Sequence, residues 1–107
     1  MRLLLDENIP KKLRLDFTNH SVISITQIGW GGKSNGILLN LMLENKFDGL
    51  ITFDRNMQHQ QNFKNYPIIV FVINAEDNSY ETLRFCVKII EEKLLKNILP
   101  GVVEIKI

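Results

Sequence analysis

Cysteine, histidine and long apolar runs are all scarce in this chain of 107 residues. The single cysteine, Cys86, cannot form an internal disulfide. His20 and His59 lie in polar stretches with no further histidine or cysteine at ligand spacing, so a zinc site is not expected. No apolar run approaches the ~20 residues that span a bilayer, and the run at residues 3–5 is too short for a secretory signal. These absences predict a cytoplasmic protein without a membrane partner.

Neither sign of charge dominates. Lysine and arginine number 13 and aspartate and glutamate 12, which gives a net charge of +1. That balance excludes a protein that binds nucleic acid through a large overall positive charge, but it leaves room for a local basic patch. The 45% hydrophobic content is typical of a globular domain, and the length suits one domain rather than two. We therefore expect a single domain over residues 1–107.

Short apolar runs predict five strands, at residues 3–5, 22–25, 50–53, 68–73 and 102–107. The first four runs lack the polar alternation of a half-exposed strand, so they predict strands buried on both faces, as in a parallel sheet. The last run alternates apolar residues with Glu104 and Lys106. It therefore predicts an edge strand with one face in water.

Helical patterns separate these strands. The first follows Pro10 and has an apolar residue at every fourth position: Ile9, Leu13 and Phe17. The second is capped by Ser34 and has an apolar face formed by Ile37, Leu38, Leu41 and Met42. The third begins near Asn78 or Ser79 and ends at residues 100–101, with an apolar stripe formed by Leu83, Val87, Ile90 and Leu94. The polar stretch 55–66 predicts a loop with at most a short helix.

The alternation of strands and helices predicts an α/β fold, a three-layer α/β/α sandwich with a mainly parallel central sheet. Right-handed crossovers bring the carboxyl ends of parallel strands to one edge of the sheet. Ligands of open α/β sheets bind along that edge. The candidate functional residues are therefore those at the carboxyl ends of the predicted strands.

Acidic residues follow two of the predicted strands directly. Asp6 and Glu7 follow the first strand, and Asp54 follows the third. If these strands are neighbours, they lie ~4.8 Å apart and their carboxylates share one small volume. A hard divalent cation such as Mg²⁺ or Mn²⁺ relieves the repulsion between clustered carboxylates. The alternative is that each acid caps the following turn or helix and needs no ligand.

A glycine-rich turn precedes the second predicted helix. Its residues Gly31, Gly32, Lys33 and Ser34 resemble the end of a phosphate-binding loop, but Gln27 stands where that pattern needs a glycine. A turn followed by a helix cap is the simpler interpretation, although Lys33 beside a helix N-terminus can contact a backbone phosphate. Cys86 falls on an apolar helix stripe and is expected in the core. Trp30 either packs over the core or stacks on a base.

Three segments together resemble compact bacterial PIN-like domains. They are Leu4 to Pro10, the turn Gly29 to Ser34, and Ile51 to Met57, in matching order and spacing over essentially the whole chain. The resemblance implies an α/β/α nuclease-type fold that binds Mg²⁺ or Mn²⁺ and cuts RNA, often as the toxin of a toxin–antitoxin pair. An antitoxin protein is then an implied partner.

The resemblance also assigns roles to particular residues. It implies Asp6, Glu7 and Asp54 as catalytic residues, with Asp6, Asp54 and Asn56 as metal ligands. We expect Lys33, Ser34 and Arg55 to contact nucleic acid. Two departures reduce the negative charge of the site: Asn56 stands where relatives usually carry an acid, and Asn35 and Gly36 follow the turn where relatives tend to have one. A weakly held cation is therefore expected.

Two other functions remain open. A PIN-like domain without activity can bind RNA or a partner protein. Response-regulator receivers also place an acid pair after the first strand and a phosphate-accepting aspartate, here Asp54, after the third. The receiver's lysine ends the fifth strand before a proline, however, whereas Lys106 lies inside the last predicted strand. We also expect a homodimer, because Phe85 and Leu95 lie outside the apolar stripe of the last helix.

Overall fold

A five-stranded parallel sheet forms the centre of the molecule, in a computed structural model that describes residues 1–59 and 66–107. The strands are β1 (Arg2–Leu5), β2 (Ser21–Ser24), β3 (Gly49–Thr52), β4 (Ile69–Asn74) and β5 (Gly101–Lys106). Their order across the sheet is β2-β1-β3-β4-β5, and every neighbouring pair is parallel. The predicted contact between the first and third strands is confirmed, and so is the edge position of the last.

Helices connect the strands. They are a 3₁₀ helix at Lys11–Asp16, α1 (Asn35–Glu44), a second 3₁₀ helix at Arg55–His59, α2 (Tyr80–Leu83) and α3 (Cys86–Leu94). None of the helices in residues 1–59 and 66–107 is long and apolar enough to cross a membrane.

Two apolar clusters cover the two faces of the sheet. Side chains alternate along a strand, so Leu3 and Leu5 point to one face of β1 and Leu4 points to the other. The first cluster joins the sheet to the first 3₁₀ helix, α2 and α3, and its buried residues include Leu13, Phe71, Leu83, Cys86 and Ile90. The second joins it to α1, and its buried residues include Leu38, Met42, Val70 and Val72. The predicted three-layer α/β/α architecture is confirmed.

Burial along the strands follows their place in the sheet. β1, β3 and β4 are buried on both faces almost throughout, as predicted. β2 differs, because Val22 and Ile23 are only partly buried. It lies at an edge of the sheet, so the prediction of burial on both faces is wrong for this strand. β5 has the predicted wet face, with Ile105 buried and Glu104 and Lys106 exposed.

The first predicted helix is a 3₁₀ helix rather than an α-helix. The amide of Leu13 donates to the carbonyl of Pro10 at 3.0 Å, which is the three-residue spacing of a 3₁₀ turn. The segment has six residues, and short helical segments commonly take this form. Its apolar positions are buried as predicted: Ile9, Leu13 and Phe17.

The longer helices differ from prediction in detail. Ser34 caps α1 as expected, but Leu39 is buried while Ile37 is 55% exposed. The buried face of α1 is therefore rotated away from Ile37. The third predicted helix is two helices, separated by a turn at residues 84–85, and the second ends at Leu94 rather than at residues 100–101. Its predicted stripe is buried nevertheless: Leu83, Val87, Ile90 and Leu94.

The predicted loop at residues 55–66 begins with the short 3₁₀ helix Arg55–His59, and its residues 60–65 lie outside the described residues. Trp30 packs edge-to-face on Phe47, with ring centroids 5.7 Å apart, so its contact is with the core. Cys86 is fully buried. Burial raises the pKa of its thiol to about 12, which suits a core residue rather than a nucleophile.

We expect opposite effects from alanine at two glycines. A Cβ at Gly49, in the central strand β3, would lie 2.9 Å from Leu3 Cδ2 and 3.2 Å from the carbonyl oxygen of Ile69. Gly49→Ala should therefore lower the free energy of unfolding by about 1–3 kcal/mol. Gly36 lies in α1 with open space around it, so Gly36→Ala should raise that free energy by about 0.5–1 kcal/mol. Urea denaturation measures both, and equal effects would contradict the packing described for β3.

Candidate functional site at the carboxyl edge of the sheet

Asp6 and Asp54 lie at the same edge of the sheet, on neighbouring strands. β1 pairs with β3 in a register that places Leu5 opposite Ile51. Asp6 follows β1 directly and its amide donates to the carbonyl of Ile51 at 2.9 Å, while Asp54 stands two residues beyond the end of β3. The pairing of β1 with β3 therefore brings these two segments together at the carboxyl edge, which is the location predicted from the sequence.

A buried hydroxyl links the two acidic segments. Thr52, the last residue of β3, is fully buried. Its Oγ1 donates to Asp6 Oδ2 at 2.7 Å and accepts a hydrogen bond from the amide of Asp54 at 3.1 Å. One side chain thus fixes the Asp6 carboxylate and the backbone of Asp54 relative to each other.

Each of the two carboxylates also binds a nearby backbone amide. Asp6 Oδ1 accepts from the amide of Glu7 at 2.8 Å, and Asp54 Oδ1 accepts from the amide of Asn56 at 3.0 Å. Each acid therefore forms a hydrogen bond with the turn that follows it, which was the alternative interpretation of these residues in the sequence. They do not exclude a ligand, because a carboxylate oxygen has capacity for more than one partner.

Glu7 lies against the glycine-rich turn that follows β2. A Cβ on Gly31 would come within 3.3 Å of Glu7 Oε2, so the absence of a side chain there gives this carboxylate room. Gly29 and Gly32 have φ values of +74° and +76°, a left-handed conformation that glycine adopts without strain. The turn thereby brings the loop after β2 to the acidic residues after β1.

The residues predicted to contact nucleic acid differ in their surroundings. Lys33 is exposed next to the turn. Ser34 is also exposed, but its hydroxyl caps α1 by accepting from the amide of Ile37 at 3.4 Å. Arg55 is exposed and its Nη2 donates to the carbonyl of Ala75, just beyond β4, at 3.3 Å. Arg55 therefore contacts the end of β4, whereas Lys33 follows the turn that lies against Glu7.

Two asparagines that were not predicted as site residues, Asn8 and Asn78, connect the loops of this edge. Asn8 Oδ1 accepts from the amide of Phe53 at 3.1 Å. Asn78 Nδ2 donates to the carbonyl of Asn8 at 3.0 Å. The loops after β1, β3 and β4 are thus joined by hydrogen bonds. Asn8 belongs to the opening segment of the PIN-like resemblance, which could have pointed to it, whereas Asn78 was predicted only as a possible start of a helix.

Another acid, Asp77, follows β4 at the same edge but has a structural role. Asp77 Oδ1 accepts from the hydroxyl of Ser79 at 2.7 Å and from the amide of Ser79 at 3.0 Å. These hydrogen bonds, that of the hydroxyl above all, lower the pKa of Asp77 from its ordinary value. The carboxylate therefore fixes the turn that leads into α2.

The donor atoms at this edge suit a hard cation held by few protein ligands. Asp6 and Asp54 offer carboxylate oxygens and Asn56 offers an amide oxygen, which are ligands that Mg²⁺ and Mn²⁺ accept. Within the described part of the chain, no three side chains of the Asp, Glu, His and Cys types are grouped so as to hold a metal ion. Mg²⁺ commonly binds one or two carboxylates together with waters and substrate phosphates. Asp6, Asp54 and Asn56 are thus the residues of this edge that could hold such an ion.

Comparisons of this chain with protein-family models, with curated proteins and with solved structures find no match. The functional argument therefore depends on the residues and the geometry of this edge.

Removing the Thr52 hydroxyl should show how much its hydrogen bonds contribute to stability, apart from the packing of the side chain. Thr52→Val keeps the shape of the side chain but leaves Asp6 Oδ2 and the Asp54 amide without this partner. We expect the free energy of unfolding to fall by about 1–3 kcal/mol. Thr52→Ser retains the hydroxyl and serves as the control, with a smaller loss from the missing methyl group. Urea denaturation measures both, and equal stability of Thr52→Val and the wild type would contradict the bridging role.

Proposed function

We propose that this protein is a metal-dependent ribonuclease of the PIN-like type that acts through Asp6, Glu7 and Asp54. The observation that carries the proposal is the hydrogen bonding of Thr52 to both acidic segments, which holds the Asp6 carboxylate and the backbone of Asp54 together at one edge of a parallel sheet. Open α/β sheets bind their ligands at this edge. The PIN-like resemblance of the segments around Asp6 and Asp54 supplies the reaction class.

Asp6 and Asp54, together with the amide oxygen of Asn56, would hold one Mg²⁺ or Mn²⁺. The chemistry that a bound cation would supply is polarisation of the scissile phosphate and a lower pKa for a coordinated water. Asn56 adds an oxygen without a negative charge, so the site carries less charge than two divalent ions require. Weak affinity and slow cleavage, or cleavage confined to a particular RNA, follow from this.

The chain's own residues would position the substrate and move the proton. Lys33 and Arg55 are exposed cations in the loops after β2 and β3, and in the proposed complex they would bind phosphates on either side of the scissile one. Glu7 Oε2 lies against Gly31. There it can accept the proton of the attacking water as a general base. Ser34 supports this face indirectly, because it caps the helix that follows the turn.

The partners that follow from this function are RNA and, if the protein is a toxin, an antitoxin protein in the same cytoplasm. An antitoxin that inhibits cleavage must cover the edge where Asp6 and Asp54 lie. We also propose that the domain forms a homodimer. Phe85 is 63% exposed, which leaves apolar surface for a second copy.

A binding module without catalytic activity is the second candidate. Asn35 and Asn56 occupy positions where an acid would strengthen a metal site, and no three acidic, histidine or cysteine side chains of the described residues form a metal-holding group. The same loops, with Lys33 and Arg55 exposed, can bind an RNA backbone without cleaving it.

A receiver-type phosphate acceptor is a third candidate function, which the experiment below also tests. The strand order β2-β1-β3-β4-β5 is that of flavodoxin-like sheets, which include receivers, and Asp54 follows β3 as the acceptor would. Lys106 in β5 does not favour the receiver, because its side chain is 75% exposed and its Nζ lies 3.7 Å from Glu104 Oε1.

Asp54→Asn should abolish both Mn²⁺ binding and RNA cleavage while the fold stays intact. The asparagine oxygen can still accept from the Asn56 amide, and the loss of one negative charge relieves repulsion with Asp6. Calorimetric titration with millimolar Mn²⁺ and cleavage of a mixed RNA pool measure the two effects. Glu44→Gln is the matched control, because it removes one negative charge from the exposed end of α1.

The outcomes separate the three functions. Absence of Mn²⁺ binding by the wild type at millimolar metal overturns the nuclease proposal, and RNA binding that persists then favours the binding module. Formation of an acyl phosphate on Asp54 after treatment with a small phosphodonor favours the receiver instead.

A further inference from the structure

The outer edge of β5 carries backbone N–H and C=O groups that form no hydrogen bonds with β4. Within the described part of the chain, β4 is the one strand that pairs with β5. The amides of Gly101 and Ile107 donate toward β4, to Ile68 and Asn74, both at 3.1 Å. Hydrogen-bonding direction alternates along a strand. The N–H and C=O groups of the even-numbered residues, 102, 104 and 106, therefore point away from the sheet.

We propose that β5 pairs antiparallel with β5 of a second copy of this chain, about a two-fold axis that passes between Ile105 of one copy and Ile105 of the other. The two sheets then form one continuous sheet of ten strands. Pairing of identical strands about a two-fold axis is an isologous contact, in which each copy uses the same surface.

The sequence of β5 is complementary to itself in this register. Glu104 lies opposite Lys106 of the second copy, and the symmetry creates this pair twice. Both residues have outward-pointing backbone groups, so each pair also exchanges two backbone hydrogen bonds. Val103 lies opposite Ile107 of the second copy, and Ile105 faces its own symmetry mate. Opposite charges and β-branched residues are favourable cross-strand partners.

The other registers that use the outward-pointing groups are poorer. An axis at Glu104 places two glutamates opposite each other, and an axis at Lys106 does the same with two lysines. Like charges in directly opposed positions destabilise a strand pair. An axis at Val103 places Glu104 opposite Val102 and Lys106 opposite Pro100, which has no N–H to donate. Charge complementarity therefore selects the axis at Ile105.

The faces of the strand agree with this register. Glu104 and Lys106 share the exposed face of β5, where they already lie 3.7 Å apart. Val103 and Ile105 belong to the apolar cluster under α3 on the other face. In the joined sheet the charged residues would meet on the wet face and the apolar residues would meet beside the core. No charge is buried by the pairing.

Exposed apolar surface lies beside the end of β5. Ile107 is 42% exposed and Phe85 is 63% exposed. Together with Glu76, Glu81 and Thr82 they line a groove of about 450 Å³. The proposed register brings Val103 of the second copy opposite Ile107, so the pairing covers apolar surface at this groove.

Because the strands run in opposite directions, the carboxyl edges of the two sheets point in opposite directions. Each candidate site remains complete in its own copy, and the proposal does not depend on the proposed function.

Charge reversal with rescue tests the register. Glu104→Lys and Lys106→Glu each place like charges opposite each other twice per dimer, so each should weaken self-association about tenfold or more. The double variant Glu104→Lys/Lys106→Glu restores opposite charges and should return the dissociation constant to near the wild-type value. Sedimentation equilibrium at low salt over a concentration series measures all four proteins. Glu44→Lys, on the exposed end of α1, is the control with an equal change of charge and should leave the constant unchanged.

Hydrogen exchange gives a second readout. The amides of Glu104 and Lys106 should gain protection as the protein concentration rises, because the second copy covers them. A protein that remains monomeric at the highest concentration overturns the proposal. A dimer that tolerates both single reversals overturns it too, because association then uses another surface, such as α3 with Leu95. Failure of the double variant to recover overturns the register.

Discussion

The parallel pairing of β1 with β3 is the constraint on which both the core and the candidate site depend. It sets Leu5 opposite Ile51 and so brings Asp6 beside Thr52 at the end of the strands. A slip of one residue would exchange the two faces of β1, moving Leu3 and Leu5 from the side of α3 to the side of α1. The same slip would separate the Asp6 carboxylate from the Thr52 hydroxyl. Core packing therefore enforces the geometry of the acidic edge.

Thr52 shows how an apolar sheet can carry a polar site. Ser24 and Thr52 are the buried polar residues among those the structure describes, and both lie at the carboxyl ends of strands. Burial of a hydroxyl without a partner is unfavourable, but Thr52 donates to Asp6 and accepts from the backbone of Asp54. The hydroxyl thus completes the hydrogen bonding of the sheet end and orients a carboxylate at the same time. The loops beyond it are then joined to one another through Asn8 and Asn78.

The two edges of the sheet present different surfaces. β2 has four residues, whereas β5 has six and carries Glu104 and Lys106 on its exposed face. Charged residues on an edge strand commonly prevent uncontrolled pairing with other chains. In β5 their spacing also allows one self-pairing register and penalises its neighbours. The same two side chains can therefore protect the edge from most partners and specify a single one.

Local patterns in the sequence were sufficient for the strands and for the approximate positions of the helices between them. Each predicted strand lies within one residue of the observed one, because an apolar run between polar turns is a local signal. The stripe of Leu83, Val87, Ile90 and Leu94 and the cap at Ser34 were likewise readable. The edge position of β5 followed from its alternation of apolar and charged residues. The location of Asp6 and Asp54 followed from a general rule on parallel sheets.

The tertiary structure decided the features that depend on contacts between distant segments. Ile37 and Leu39 are similar in apolar character, and only the packing of α1 against the sheet determines that Leu39 is the buried one. The role of Thr52 depends on a hydrogen bond to a residue 46 positions away, and that of Asn78 on one 70 positions away. Sequence periodicity reports which face of one element is apolar. It carries no information on which polar atoms meet across strands, because those distances are fixed only when the strands pair in register.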